Sequence, residues 1–188
     1  MASRFSIFAI TGQVPPSDLT RALHSVTSAA CRTNDTNLSA LQRDITHQHL
    51  PTYAFIAPDQ CNDMELACTS GTSAIRAGDT WLRTWVPRLL GTPGYRTGHT
   101  AIFITWDEGD HGRGRSGENC VAHANLSDVS CHVATLVVAP WVTAGLRSST
   151  RFSHYSLLQT TERLLGLRPF LGHAADASTT GMRSSFGF

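Results

Sequence analysis

Lysine is missing altogether: all fifteen basic residues of this 188-residue chain are arginine. Fourteen acids oppose them, for a formal net charge of +1. That balance implies no bulk electrostatic pull toward nucleic acid or membrane, so no nucleic-acid partner is expected. No apolar run approaches the ~20 residues of a transmembrane helix. The opening stretch, MASRFSIFAITGQVPPSD, lacks the charged start, long apolar centre and small-residue cleavage site of a signal peptide. The five cysteines include no C-x-x-C pair, which argues against structural zinc. Two local disulfides, Cys61–Cys68 and Cys120–Cys131, suit the spacing better, and Cys31 is left over. An odd cysteine in an exported type of chain without an export signal leads us to expect a sequence that begins partway through a longer one. No G-x-S-x-G elbow marks a serine esterase, and there is neither an internal repeat nor a low-complexity segment.

What the chain does have is the stretch Thr100–His111, TAIFITWDEGDH. A run of β-branched and aromatic residues, apolar on both faces, ends abruptly in Asp107, Glu108, Gly109, Asp110 and His111. Such a run suits a strand buried on both sides, and open α/β sheets place ligands at the carboxyl ends of their strands. Successive strand side chains point to opposite faces, so Asp107 and Glu108 converge only if the backbone turns at once, which Gly109 permits. Carboxylates packed this closely repel unless a cation or protons neutralise them. Oxygen ligands favour a hard divalent ion, Mg²⁺, Ca²⁺ or Mn²⁺. A solvated acidic loop after a core strand is the competing reading.

Around that stretch the pattern alternates strands and helices. Strands are expected over 4–10, over TYAFIAP (52–58) and over VATLVVAP (133–140). Helices are expected over 17–30, over 37–45, over 78–90 (ended or kinked by Pro87) and over 153–166 with Gly166 as cap. The polar stretch from Asp59 to Ser73 and residues 112–131 read as loops. The alternation implies one layered α/β domain over 1–188. His111 beside the acids is either a ligand or proton donor, or simply exposed. Arg113 and Arg115 are either phosphate grips or solvated.

Five blocks carry a resemblance: LPTYAFIAPDQCNDM, GDTWLRTWVPRLL, ITWDEGD, HVATLVVAPWVTAG and FSHYSLLQTTERLLGL. Their order and spacing resemble the bacterial phosphoesterase family of secreted acid phosphatases and phospholipases C, within the alkaline-phosphatase-like superfamily. The likeness is strongest over residues 50–188. It implies a three-layer α/β/α sandwich with a mainly parallel sheet, secreted or held at the cell envelope, that hydrolyses phosphoric esters with a divalent metal ion and a serine or threonine nucleophile. It places Asp107 and Glu108 in the metal-binding pair. It places Asn62, Asp63 and Met64 at the start of an N-D-M-H-D loop, with Asn62 near the substrate and Asp63 and the Glu65 position in the catalytic set; His111, from its place beside the acids, is the other expected substrate contact. Glu65 stands where that loop has a histidine facing phosphate, and a carboxylate there repels a phosphate dianion. His154 matches an H-Y-S helix start, as a supporting group at the site or merely as a stabiliser of the helix end. The family's Glu-Asn metal pair and its nucleophile sit ahead of anything these blocks match, so impaired catalysis is expected. The alternative is a non-catalytic remnant or binding relative of the fold.

Overall fold

The computed structural model describes residues 5–11, 29–67, 71–108 and 132–188. Its strands are β1 (Phe5–Thr11), β2 (Tyr53–Ile56), β3 (Thr100–Trp106) and β4 (Thr135–Val138). The helices are α1 (Ala29–Asn34), α2 (Leu38–Thr46), α3 (Ala74–Leu90), α4 (Pro93–Arg96), α5 (His154–Leu164) and α6 (Arg183–Phe186), with a 3₁₀ turn at Gly172–Ala175. The helix expected over 17–30 falls almost wholly outside the described residues.

The four strands form one sheet in the order β2-β1-β3-β4. β3 therefore has neighbours on both sides, and its burial follows: Ile102 and Phe103 are fully buried, and Thr100 to Thr105 are all inaccessible. This is what a run apolar on both faces demands. Its partner β4 runs antiparallel, with Ile102 opposite Val138 and Thr105 opposite Thr135. The Thr105 hydroxyl anchors that register, 2.8 Å from the Thr135 hydroxyl and donating to the Ala134 carbonyl at 3.2 Å. The expected mainly parallel sheet is thus corrected at this edge. Apolarity on both faces reports burial, not strand direction. What the structure supports is a small α/β fold with a short antiparallel element.

The chain divides into two compact units. The first takes in residues 54–91 and 102–138, hence most of the sheet and α3. Its core includes Ile56, Trp81, Leu89, Ile102, Phe103 and Ile104. α3 begins four residues earlier than expected, because the Ser73 side chain accepts a hydrogen bond from the Arg76 N–H and caps the first turn. Ala77, Trp81 and Leu89 share its buried stripe, and Trp85 lies 5.9 Å from Trp81 between ring centroids. Pro87 neither ends this helix nor marks its boundary, since the Gly91 N–H still bonds the Pro87 carbonyl at 3.0 Å. A proline in the last turn forfeits one bond only, which the end of a long helix tolerates.

The second unit takes in residues 10–53, 92–101 and 139–188. α5 is its best-specified element. Ser153 and Ser156 form a reciprocal capping box at its start, 3.0 and 3.4 Å. At its end Gly166 adopts φ +71°, with the Gly166 and Leu167 N–H groups donating back to Arg163 and Glu162. The segment after α5 returns along it: Gln159 donates to the Ala174 carbonyl at 2.7 Å, and Thr160 accepts from the Met182 N–H at 2.7 Å.

Candidate functional site

Two loops of the first unit carry the residues singled out by the sequence. One follows β3. The chain bends at Asp107 and Glu108 themselves, ahead of the expected turn at Gly109, which lies outside the described residues. The Asp107 carboxylate accepts the Glu108 N–H at 2.9 Å, which holds the exposed Asp107 side chain against its own turn. Glu108 is half-buried beside it. A rigid buried strand thus delivers two adjacent carboxylates. As a donor set they fit a hard divalent cation in kind, since both ligands are anionic oxygens. They are too few to enclose one: among the described residues no three His, Cys, Asp or Glu side chains gather into a metal cage.

The other loop follows β2. Asp59 organises it by accepting three hydrogen bonds at one carboxylate oxygen, from the Cys61 N–H (3.0 Å), the Asn62 N–H (3.2 Å) and the Asn62 side-chain amide (2.8 Å). The Asn62 and Asp63 N–H groups also close onto the Asp59 carbonyl, at 2.8 and 3.0 Å. An aspartate that binds the backbone ahead of it mimics a turn, so the loop has a fixed shape. Asp63 is only 2 % exposed, and its carboxylate accepts the Glu65 N–H at 2.8 Å. Between them Met64 takes φ +73°, a left-handed conformation unusual for a residue with a β-carbon.

A residue that the sequence reading took only for the start of a helix explains how this is held. Gly78 lies within α3, and a β-carbon there would sit 2.3 Å from Met64 Cγ and 3.1 Å from the Asn62 carbonyl. The loop lies against a helix surface that only glycine leaves open. A lone glycine inside a helical pattern was the available signal.

His154 is exposed at the first position of α5 and belongs to the second unit. His111, Arg113, Arg115, Cys68, Cys120 and Cys131 lie outside the described residues. Cys61 is half-buried and is not a free thiol. Within the first unit the structure ties Asn62 to Asp59, Asp63 to Glu65, and Asp107 to Glu108.

Among curated proteins the chain is similar to a phosphatidylinositol-3-phosphatase of Mycobacterium tuberculosis, 28 % identical over 139 residues, which cover 74 % of this chain and 38 % of that protein. It is also similar to an acid phosphatase of Aspergillus fumigatus, 26 % identical over 137 residues, covering 72 % of this chain and 26 % of the other. The chain thus spans well under half the length of these relatives. No solved structure matches it. The sequence model of the Phosphoesterase family matches residues 8–168, beginning ahead of the five blocks and running through β3, its acidic end and α5, and the chain belongs to that family.

Proposed function

We propose that this chain is built for metal-assisted hydrolysis of phosphoric esters, with Asp107 and Glu108 as the metal ligands it contributes. The observation that carries the reading is the placement of two adjacent carboxylates at the end of a strand buried from Thr100 to Thr105. Bound there, a Mg²⁺, Ca²⁺ or Mn²⁺ ion supplies charge neutralisation for the phosphoryl oxygens. Both relatives' names denote phosphatases, which supports a phosphoric monoester as substrate.

This chain's own residues then divide the work as follows. Asn62 and Asp63, fixed by Asp59 and by the close approach to Gly78, present the loop that faces substrate. Asp63 is held in one orientation by the Glu65 N–H. Glu65 stands where the family's loop carries a histidine, and its charge opposes a phosphate dianion. Turnover by this chain is therefore low, and Glu65 is also what favours the second reading, a binding relative that retains the site without the chemistry. His154 acts as a supporting group and His111 as a substrate contact. The three-layer α/β/α sandwich of the superfamily is the architecture that this reading entails. A Cys61–Cys68 disulfide, supported by the bonded state of the Cys61 sulfur, and a Cys120–Cys131 disulfide fit a secreted or cell-envelope protein.

Titration calorimetry with Mg²⁺, Ca²⁺ and Mn²⁺ tests the site directly. Weak binding is expected, abolished by Asp107→Asn, with little change in thermal stability because relieved repulsion offsets the lost ligand. In parallel, Glu65→His is expected to raise hydrolysis of p-nitrophenyl phosphate, and Asp107→Asn to remove it. Metal binding that survives Asp107→Asn refutes the proposed ligands, and metal binding without hydrolysis in both the wild-type chain and Glu65→His selects the binding relative.

A further inference from the structure

The charge of the chain is unevenly spread. Residues 139–188 hold five arginines (Arg147, Arg151, Arg163, Arg168 and Arg183) against two acids, Glu162 and Asp176, while the whole chain is nearly neutral. Both acids are occupied. Glu162 is 2 % exposed, one of its oxygens takes the Leu171 N–H at 3.0 Å, and burial pushes its pKa up, toward the neutral form. Asp176 is paired with His173 at 2.9 Å. The exposed side-chain charge of this segment is therefore mainly positive, five arginines against the Asp176 carboxylate, whose partner His173 carries charge only when protonated.

Two of the arginines are gathered by one ring. The Arg168 guanidinium lies 4.0 Å from the Phe170 centroid and that of Arg163 lies 5.0 Å from it. Stacking on an aromatic face fixes a guanidinium while leaving its N–H edges to the solvent. From this pair the returning segment runs back along α5. Leu171, anchored through Glu162, is 44 % exposed. His173 then meets Tyr155, itself 45 % exposed, edge-on at 5.0 Å. A strip results, with two arginines at one end and an aliphatic and an aromatic side chain along the rest.

We propose that this strip docks the chain on an anionic lipid bilayer. Arginines meet the phosphates of the headgroups, while Leu171 and Tyr155 enter the boundary below them, the combination that interfacial anchors use. Nucleic acid fits less well, because the Phe170 ring is already engaged by Arg168 and Arg163, and Leu171 gains nothing from a phosphodiester backbone. The inference is independent of whether the chain hydrolyses anything.

The test is sedimentation of the full chain with sucrose-loaded vesicles of phosphatidylcholine alone and of phosphatidylcholine with phosphatidylserine, at low and high salt. Binding is expected only to the serine-containing vesicles, and weaker at high salt. Arg163→Gln with Arg168→Gln is expected to weaken it by about thirtyfold, roughly fivefold for each arginine. Leu171→Asp is expected to weaken it too, and carries the test should the double variant melt below the wild-type protein. Equal partition onto both vesicle types overturns the proposal, as does partition indifferent to these substitutions. Capture of single-stranded DNA by the wild-type chain in place of serine-containing vesicles also overturns it.

Discussion

The close approach at Gly78 makes an unusual prediction about a substitution that ordinarily stabilises. Replacing a helix-interior glycine by alanine gains about 1 kcal/mol from helix propensity alone. At Gly78 the new β-carbon would stand 2.3 Å from Met64 Cγ, 2.7 Å from Met64 Cε and 3.1 Å from the Asn62 carbonyl. Cγ is not the free end of the Met64 side chain, so clearing it takes a change at χ1 rather than a swing of the tip, and the Asn62 contact is backbone. Overpacking of this kind costs about 1–3 kcal/mol. The clash outweighs the propensity gain, and Gly78→Ala is expected to lose about 1 kcal/mol net, which lowers Tm by about 2–4 °C in a chain of this size. Adding Met64→Ala removes the obstacle, so the two substitutions should show a favourable coupling of at least about 0.5 kcal/mol in a double-mutant cycle. Thermal melts followed by circular dichroism measure all four proteins. A Gly78→Ala variant that melts higher than the wild-type chain, or a cycle that closes with no coupling, would show that the loop does not press on the helix, and the account of how Asn62 and Asp63 are held would fall with it.

Two further expectations concern the two units separately. Burial raises the Glu162 pKa, against the opposing pull of the Leu171 N–H and Arg168. The stability owed to its neutral form is therefore fully present below the ordinary glutamate range of about 4.3 and is lost as pH rises through the raised folded value. Glu162→Gln cannot ionise, so its Tm relative to wild type should climb as pH rises from about 4 through the raised folded value; a gap that stays flat refutes the burial argument. In the first unit, Phe103→Ala should cost about 3–5 kcal/mol in urea unfolding, whereas Leu136→Ala, at a side chain 49 % exposed, should cost under about 0.5 kcal/mol.

Some of this was legible in the residues and some was not. The β3 strand and its acidic end stood out because a continuous apolar run closed by carboxylates has few other readings. α5 was equally plain, since Ser153 and Gly166 are strong terminators. The start of α3 was not, because Ser-Gly-Thr-Ser ahead of it reads as loop, and only the Ser73 cap shows the helix beginning there. The antiparallel pairing of β3 with β4 joins residues 30 to 36 apart in sequence, which no local pattern encodes. At the candidate site the residue types and their strand-end positions were visible. The left-handed Met64 was not, because that conformation is imposed by the turn Asp59 builds and by the open surface at Gly78.

The strand order has a consequence for how the chain comes to be folded. β1 is hydrogen-bonded between β2 and β3, yet β3 begins at Thr100, about ninety residues after β1 ends. At ribosomal rates of about 5–20 residues per second, β1 waits roughly 5–20 s for the neighbour that covers its open edge. Even then the pairing must close a long loop, which slows its formation relative to a local element such as α3, made before β3. β1 thus keeps one edge unpaired until β3 has been made, and an open strand edge is a template for wrong pairing.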